Sequence, residues 1–244
     1  MTTVFVHGVP ETAALWDDVR AKIDRESVAV ALPGFGSARP AGFSATKDAY
    51  VDWLVGELDA IGEPVDLVGH DWGGIITVRV ATAFGDRVRS WVSDAANIFH
   101  EQYEWHEFAK TWQTPGEGEA SMEALRGLAN DDGIAVLVGL GVPESGARAM
   151  WEAGDETMDA CILDLYRSAV PNAAHDWGSA VAPTKAPGLV LVATEDPFGN
   201  ETLSSDMATR LGARTERLDG LGHWWALQNP TRAADVLTKF WASL

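Results

Sequence analysis

The chain has 244 residues, of which 46% are hydrophobic, and a formal net charge of −18. That length suits one large domain, or a domain carrying an insertion, with enough apolar material for a full core. The charge repels phosphate backbones and anionic lipid surfaces, which argues against nucleic acid or membrane as partner.

The N-terminal "TVFVHG" reads as a strand, entered at once with no basic or long apolar leader before it. "AALWDDVRAKI" is predicted to be a helix with Trp16, Val19 and Ile23 on one face. "SVAVALPG" is a second strand that runs into the loop "LPGFGSARP". Thr46 to Ile61 has helical periodicity and is closed by Gly62. A strand around Val65–Gly69, a helix from about Gly73 and a strand at "VRSWVSD" follow. Strands alternating with helices predict a parallel sheet wrapped on both faces.

After Asp94 the texture changes. From about Asn97 to Trp177 no segment reads as a strand, and aromatics and charges crowd together, as in "FHEQYEWHEFAKTW" and "CILDLYRSA". The sheet resumes at "PGLVLVATED" and "ARTERLDG", and "TRAADVLTKFWASL" is a C-terminal helix. The expected organisation is therefore a core of residues 1–96 and 178–244 with a helical cap of residues 97–177 inserted between strands. Such an insertion sits above the carboxyl ends of the strands, where open α/β sheets bind ligands, so a lid is expected. Cys161 is the single cysteine. With no intrachain disulfide, no leader and no run near the roughly 20 apolar residues of a membrane span, the cytoplasm is the expected location.

Four predicted strand-end loops collect the reactive side chains: His7-Gly8-Val9-Pro10, Gly69-His70-Asp71-Trp72-Gly73, Glu195-Asp196-Pro197 and Gly222-His223-Trp224. Asp71 stands at the tip of a strand–turn–helix, and the chain order Asp71, Asp196, His223 is that of nucleophile, acid and histidine. On these motifs, which span almost all of it, the chain resembles the α/β-hydrolases. It starts where that family's third strand usually lies, so a minimal sheet without the first two strands is expected.

An aspartate at the elbow resembles, within that superfamily, the epoxide hydrolases and haloalkane dehalogenases. The chemistry gives the reason: a carboxylate displaces a leaving group at an sp³ carbon without first losing a proton, and forms an alkyl ester. Water activated by His223, with Asp196 orienting the imidazole, then attacks the ester carbonyl, and the backbone N–H groups of Val9 and Trp72 hold the oxyanion. Asp94 and Glu195 are alternative acids. His7 and His70 are expected to brace the loops.

The resemblance implies two leaving-group chemistries. In the epoxide-hydrolase reading "ILDLYRSA" makes Tyr166 the lid proton donor. "TWQTPGEGE" has Thr111 and Trp112 where the family carries Tyr-Phe, so a second donor would be Tyr103 or His106. In the dehalogenase reading the Trp72 indole N–H would hold a halide, but Val9 supplies no side-chain donor beside it. "HGVPE" is closer to the epoxide-hydrolase form, and epoxide hydrolysis to a diol is favoured, with haloalkane dehalogenation second and a non-catalytic ligand-binding homologue third. No spacing suits a metal and no cofactor is implied. The expected partner is a small, mostly apolar molecule, and the sequence leaves room for a homo-oligomer.

Overall fold

The structure, a computed structural model, describes residues 1–177 and 182–244. Six strands, β1 (Thr3–Val6), β2 (Ser27–Val30), β3 (Val65–Gly69), β4 (Val88–Ser93), β5 (Gly188–Ala193) and β6 (Arg214–Leu218), form one sheet in the order β2-β1-β3-β4-β5-β6. Every neighbouring pair is parallel. β1 and β3 are buried along their whole length, whereas the edge strands β2 and β6 are partly exposed. Burial on both faces is what a central parallel strand experiences, and even the acid within β3, Asp66, is buried.

Alternation along each strand sends side chains to two separate cores. Val4, Val6, Leu67 and Trp91 join one cluster, and Phe5, Val68, Val92 and Leu191 the other. The helices that close these faces are α1 (Asp17–Arg20), α2 (Lys47–Ile61) and α3 (Trp72–Ala83) in the first half of the chain. Five more, α4 (Glu107–Gln113), α5 (Glu117–Arg126), α6 (Asn130–Gly139), α7 (Glu144–Ala153) and α8 (Glu156–Arg167), lie between β4 and β5. α9 (Glu201–Leu211), α10 (Trp225–Gln228) and α11 (Pro230–Ala242) complete the fold. Among the described residues no strand lies between Ser93 and Gly188.

α2 starts and stops as its sequence predicts: the Thr46 side chain accepts a hydrogen bond from the Ala49 N–H, and Gly62 ends the helix at φ 78°. The region of "AALWDDVRAKI" differs from the expected single helix. Ala13–Trp16 is a 3₁₀ turn and α1 ends at Arg20. Trp16 is wholly buried there, its ring 5.0 Å from Phe5 and 5.7 Å from Trp225, and this tertiary packing outweighs helix propensity in so short a segment.

The helices between β4 and β5 are tied to the sheet layer mainly through α8 and the segment after it. Arg39 donates to Asp164 at 2.8 Å, the Lys47 backbone N–H donates to Ser168 Oγ at 2.8 Å, and the Trp177 indole donates to Asp48 at 2.6 Å. Lys47, almost fully buried, packs its ammonium 4.2 Å from the centre of the Trp177 ring and bonds Asp176 at 2.7 Å. The Cys161 thiol packs against Gly34, where an added methyl would lie 2.4 Å from the sulfur. The expected return from insertion to core, at residue 178, lies outside the described residues.

Candidate active site

Asp71 sits between the end of β3 and the start of α3 with φ 50° and ψ −123°, a conformation that non-glycine residues rarely hold. The turn is sharp because the chain closes on itself on both sides. A Cβ at Gly69 would come within 2.2 Å of the Gly73 carbonyl oxygen, and one at Gly73 within 2.3 Å of the Val6 carbonyl oxygen. The Gly-x-Asp-x-Gly pattern thus has a steric cause, and the strain aims the carboxylate out over the strand ends.

Asp71 Oδ1 accepts from the Val9 N–H at 3.0 Å, and the Trp72 N–H adds a second backbone contact to the carboxylate. These are the two N–H groups expected to form the oxyanion hole. Burial pushes the Asp71 carboxyl from 3.8 up to about 6, although His223 and His70 pull it down. At neutral pH Asp71 is thus a carboxylate, but a poorly solvated one.

His223, in the loop after β6, brings Nε2 to 3.9 Å from Asp71 Oδ2, while its Nδ1 lies 2.9 Å from Asp196 Oδ2. Burial depresses the imidazole, but the Asp196 hydrogen bond and charge outweigh it and leave His223 above its ordinary value. Asp196 is held in place by the Phe198 N–H, which donates to Oδ1 at 2.8 Å. Glu195, one residue away, is exposed. Asp94, the other alternative acid, turns elsewhere: its Oδ1 accepts from the Asp71 backbone N–H at 2.9 Å, and its Oδ2 meets His70 Nδ1 and the Trp225 indole, each at 2.5 Å. Asp94 therefore braces the elbow, and Asp196 is the carboxylate on His223.

His70 is held between two carboxylates. Its Nδ1 faces Asp94 and its Nε2 lies 3.0 Å from Glu11 Oε1, so both nitrogens donate and the ring is an imidazolium. Burial opposes that charge, but Glu11 and Asp94 overcome it and raise His70 well above its usual range. The second Glu11 oxygen accepts from the Gly8 N–H at 2.9 Å, which fixes the loop that carries Val9. His7 braces differently. Its Nε2 accepts from the Leu32 N–H at 3.1 Å, its Nδ1 lies 2.7 Å from the Gly8 carbonyl, and burial lowers it to about 4, so it is neutral.

Glu11 was not singled out in the sequence, where its one signal is an acid in an otherwise apolar loop, directly after His-Gly-Val-Pro. Folding also brings ligand-type atoms of Glu11, His70 and His223 within 4.8 Å of one another, which no sequence spacing announces. Both His70 nitrogens already face carboxylates, so a metal at this cluster would have to displace a proton and the Glu11 contact.

Tyr166, on α8, faces Asp71 across the site. It is 3% exposed, its ring stands edge-on to Trp72 at 5.3 Å, and burial together with the Asp71 charge pushes its phenol well above 10. Tyr103 and His106 face the same space. Burial, then the charges of Asp71 and Asp196, raise the Tyr103 phenol. His106 caps α4, its Nδ1 accepting from the Ala109 N–H at 3.2 Å. Burial and the nearby His223 charge lower it to about 4, so it is neutral with its proton on Nε2. The Trp72 indole N–H is buried and points to the Tyr166 hydroxyl, outside good hydrogen-bond geometry, in a ring stacked on Trp105 at 5.9 Å.

Two cavities meet at Asp71, His223 and Tyr166. One, of ≈ 410 Å³, extends between α4, α5 and α6 and is lined largely by apolar side chains such as Met122, Leu125 and Leu137. The other, of ≈ 20 Å³, lies on the Tyr103 side and is closed by Asn97, Ile98 and Trp105. Trp72 lines neither.

The alpha/beta hydrolase family model matches residues 3–236. The chain is 35% identical over 96 residues to a 2-hydroxymuconate semialdehyde hydrolase of Pseudomonas sp. (strain CF600), covering 36% of this chain and 34% of that protein. It is 36% identical over 99 residues to epoxide hydrolase 2 of Siraitia grosvenorii, covering 37% of this chain and 30% of that one. The matches span about a third of the length of these curated relatives. Among solved structures, a loop variant of a haloalkane dehalogenase from Bradyrhizobium elkanii superposes with TM-score 0.77 at 20% identity, over 99% of this chain and 89% of that one. Epoxide hydrolase A from Mycobacterium thermoresistibile gives TM-score 0.77 at 22% identity, over 98% and 90%.

Proposed function

The chain belongs to the alpha/beta hydrolase family, and from that premise we propose that it is an epoxide hydrolase working through an ester of Asp71, without a cofactor. The observation that carries this reading is the opposition of Asp71, held by the Val9 N–H at 3.0 Å, to the Tyr166 phenol across one buried site. An Asp71 oxygen attacks a ring carbon of the epoxide. The carbon–oxygen bond breaks, and the departing alkoxide takes the Tyr166 proton. His223 then removes a proton from water as that water adds to the ester carbonyl. The Val9 and Trp72 N–H groups hold the oxyanion, and its collapse frees the diol and restores the carboxylate. The proton on His223 returns through solvent to Tyr166, so the net reaction is epoxide plus water to diol. The helices α4–α8 act in this reading as the cap that supplies the proton donor and excludes bulk water.

Haloalkane dehalogenation is the second reading. The buried Trp72 indole N–H, which meets only the Tyr166 hydroxyl in poor geometry, favours it, since a halide would satisfy that donor. Against it, Trp72 lines neither cavity and Val9 offers no second side-chain donor. Incubation of the protein with a styrene-type epoxide and with a bromoalkane tests the assignment. Diol formation without halide release supports the epoxide reading, and halide release overturns it in favour of the second.

A further inference from the structure

The space around Asp71 is lopsided. On one side is the ≈ 410 Å³ cavity between α4, α5 and α6, a volume in the range that holds a whole small-molecule ligand. On the other is the ≈ 20 Å³ pocket, room for about one water molecule. The pocket is walled by Ile98, Tyr103 and Trp105, two of them buried core residues, and it reaches His223 and Asp196. The large cavity also opens at an apolar rim: Phe108, Leu128 and Val136 line it together and are 48%, 37% and 43% exposed.

We infer that the substrate is a terminally functionalised, single-chain apolar molecule, attacked at an end carbon that bears no alkyl group, with its chain in the large cavity and the hydrolytic water in the small pocket. The inference rests on the reading of Asp71 as the nucleophile and adds the shape of what it attacks. A carbon bonded to Asp71 lies where the two spaces meet, so two sizeable substituents on the epoxide would have to point into both. The small pocket rejects an alkyl group, and it is also where a water can stand beside the base. The two roles are one geometric fact: filling the pocket with carbon would displace the molecule that completes the reaction.

The test uses straight-chain ten-carbon epoxides, one with the ring at the end of the chain and one with it at the middle bond. Adduct formation is followed by intact mass in His223→Gln, and diol formation in the wild-type protein. The terminal isomer is expected to alkylate Asp71 at least about 10-fold faster, since a single misplaced methylene already costs a factor of that order. Equal rates, or a faster internal isomer, overturn the inference while leaving the nucleophile standing. No adduct and no diol from either isomer overturn the nucleophile reading, and this inference with it. Ile98→Ala widens only the small pocket, and it should raise the internal-to-terminal ratio about 10-fold. A ratio unmoved in a variant with the wild-type unfolding midpoint overturns the assignment of that pocket.

Discussion

The Glu11 carboxylate and the His70 imidazole meet at 3.0 Å with neither accessible to solvent. Their pairing joins the loop after β1 to the loop after β3, and places a fixed positive ring 4.7 Å from the ring of His223. Asp94 also pairs with His70, so removing the Glu11 charge leaves the ring one carboxylate and takes away a buried, charge-assisted hydrogen bond. Glu11→Gln is expected to cost about 1.5–3 kcal/mol, read as a lower denaturant midpoint at pH 7. A variant as stable as the wild type would show that the Glu11–His70 contact adds nothing net to the fold.

Asp71 is expected to burden the fold. A carboxyl pushed from 3.8 to about 6 ionises less readily folded than unfolded, so the native state gains below the lower value and loses that gain as pH rises through the upper one. Asp71→Asn should therefore be more stable than wild type by about 2–3 kcal/mol at pH 7–8, with the advantage vanishing near pH 4. Thermal unfolding across that range checks both the size and the sign.

The two chemical steps should answer to different groups as pH changes. In His223→Gln only alkylation survives, and its rate should fall on acidification with a midpoint at or slightly above about 6, because loss of the His223 charge removes one of the influences lowering Asp71. In the wild type, ester hydrolysis also needs neutral His223, whose value is raised above 6.5, so kcat should keep climbing past the point where alkylation has levelled. Stopped-flow alkylation and steady-state kcat on one buffer series separate the two limbs. Coincident profiles would contradict the assignment of His223 to the second step alone.

Tyr166→Phe should divide the two leaving groups. A departing alkoxide needs the phenol proton, and general-acid loss costs about 10²–10⁴-fold, so epoxide turnover should fall by that much. A departing halide needs no proton, and bromoalkane turnover would change little. His106→Ala is a useful partner, since neutral His106 can only donate a hydrogen bond through Nε2 and should affect KM more than kcat.

Much of the site was legible because its constraints are local. The glycines around Asp71 answer to contacts within one strand–turn–helix, and the central strands announce themselves by burial on both faces. The order Asp71, Asp196, His223 is likewise a property of the string. What could not be read depends on convergence in space. Nothing in "HGVPE" says that Glu11 will meet a histidine 59 residues later. The choice of Asp196 over Asp94 required seeing that Asp94 is already bound to His70, the elbow N–H and Trp225. Tyr103 and His106 both reach the site because α4 starts where it does, and the division of the space around Asp71 belongs to helix packing that no periodicity encodes.

The Cys161 sulfur, pressed against Gly34, has one more consequence. It is the chain's sole sulfhydryl and is wholly covered, so an alkylating dye can reach it only when α8 lifts from the loop beneath. The molecule thus carries a built-in clock for that parting, and the pace of labelling, with and without a bound inhibitor, would time how often the roof comes off.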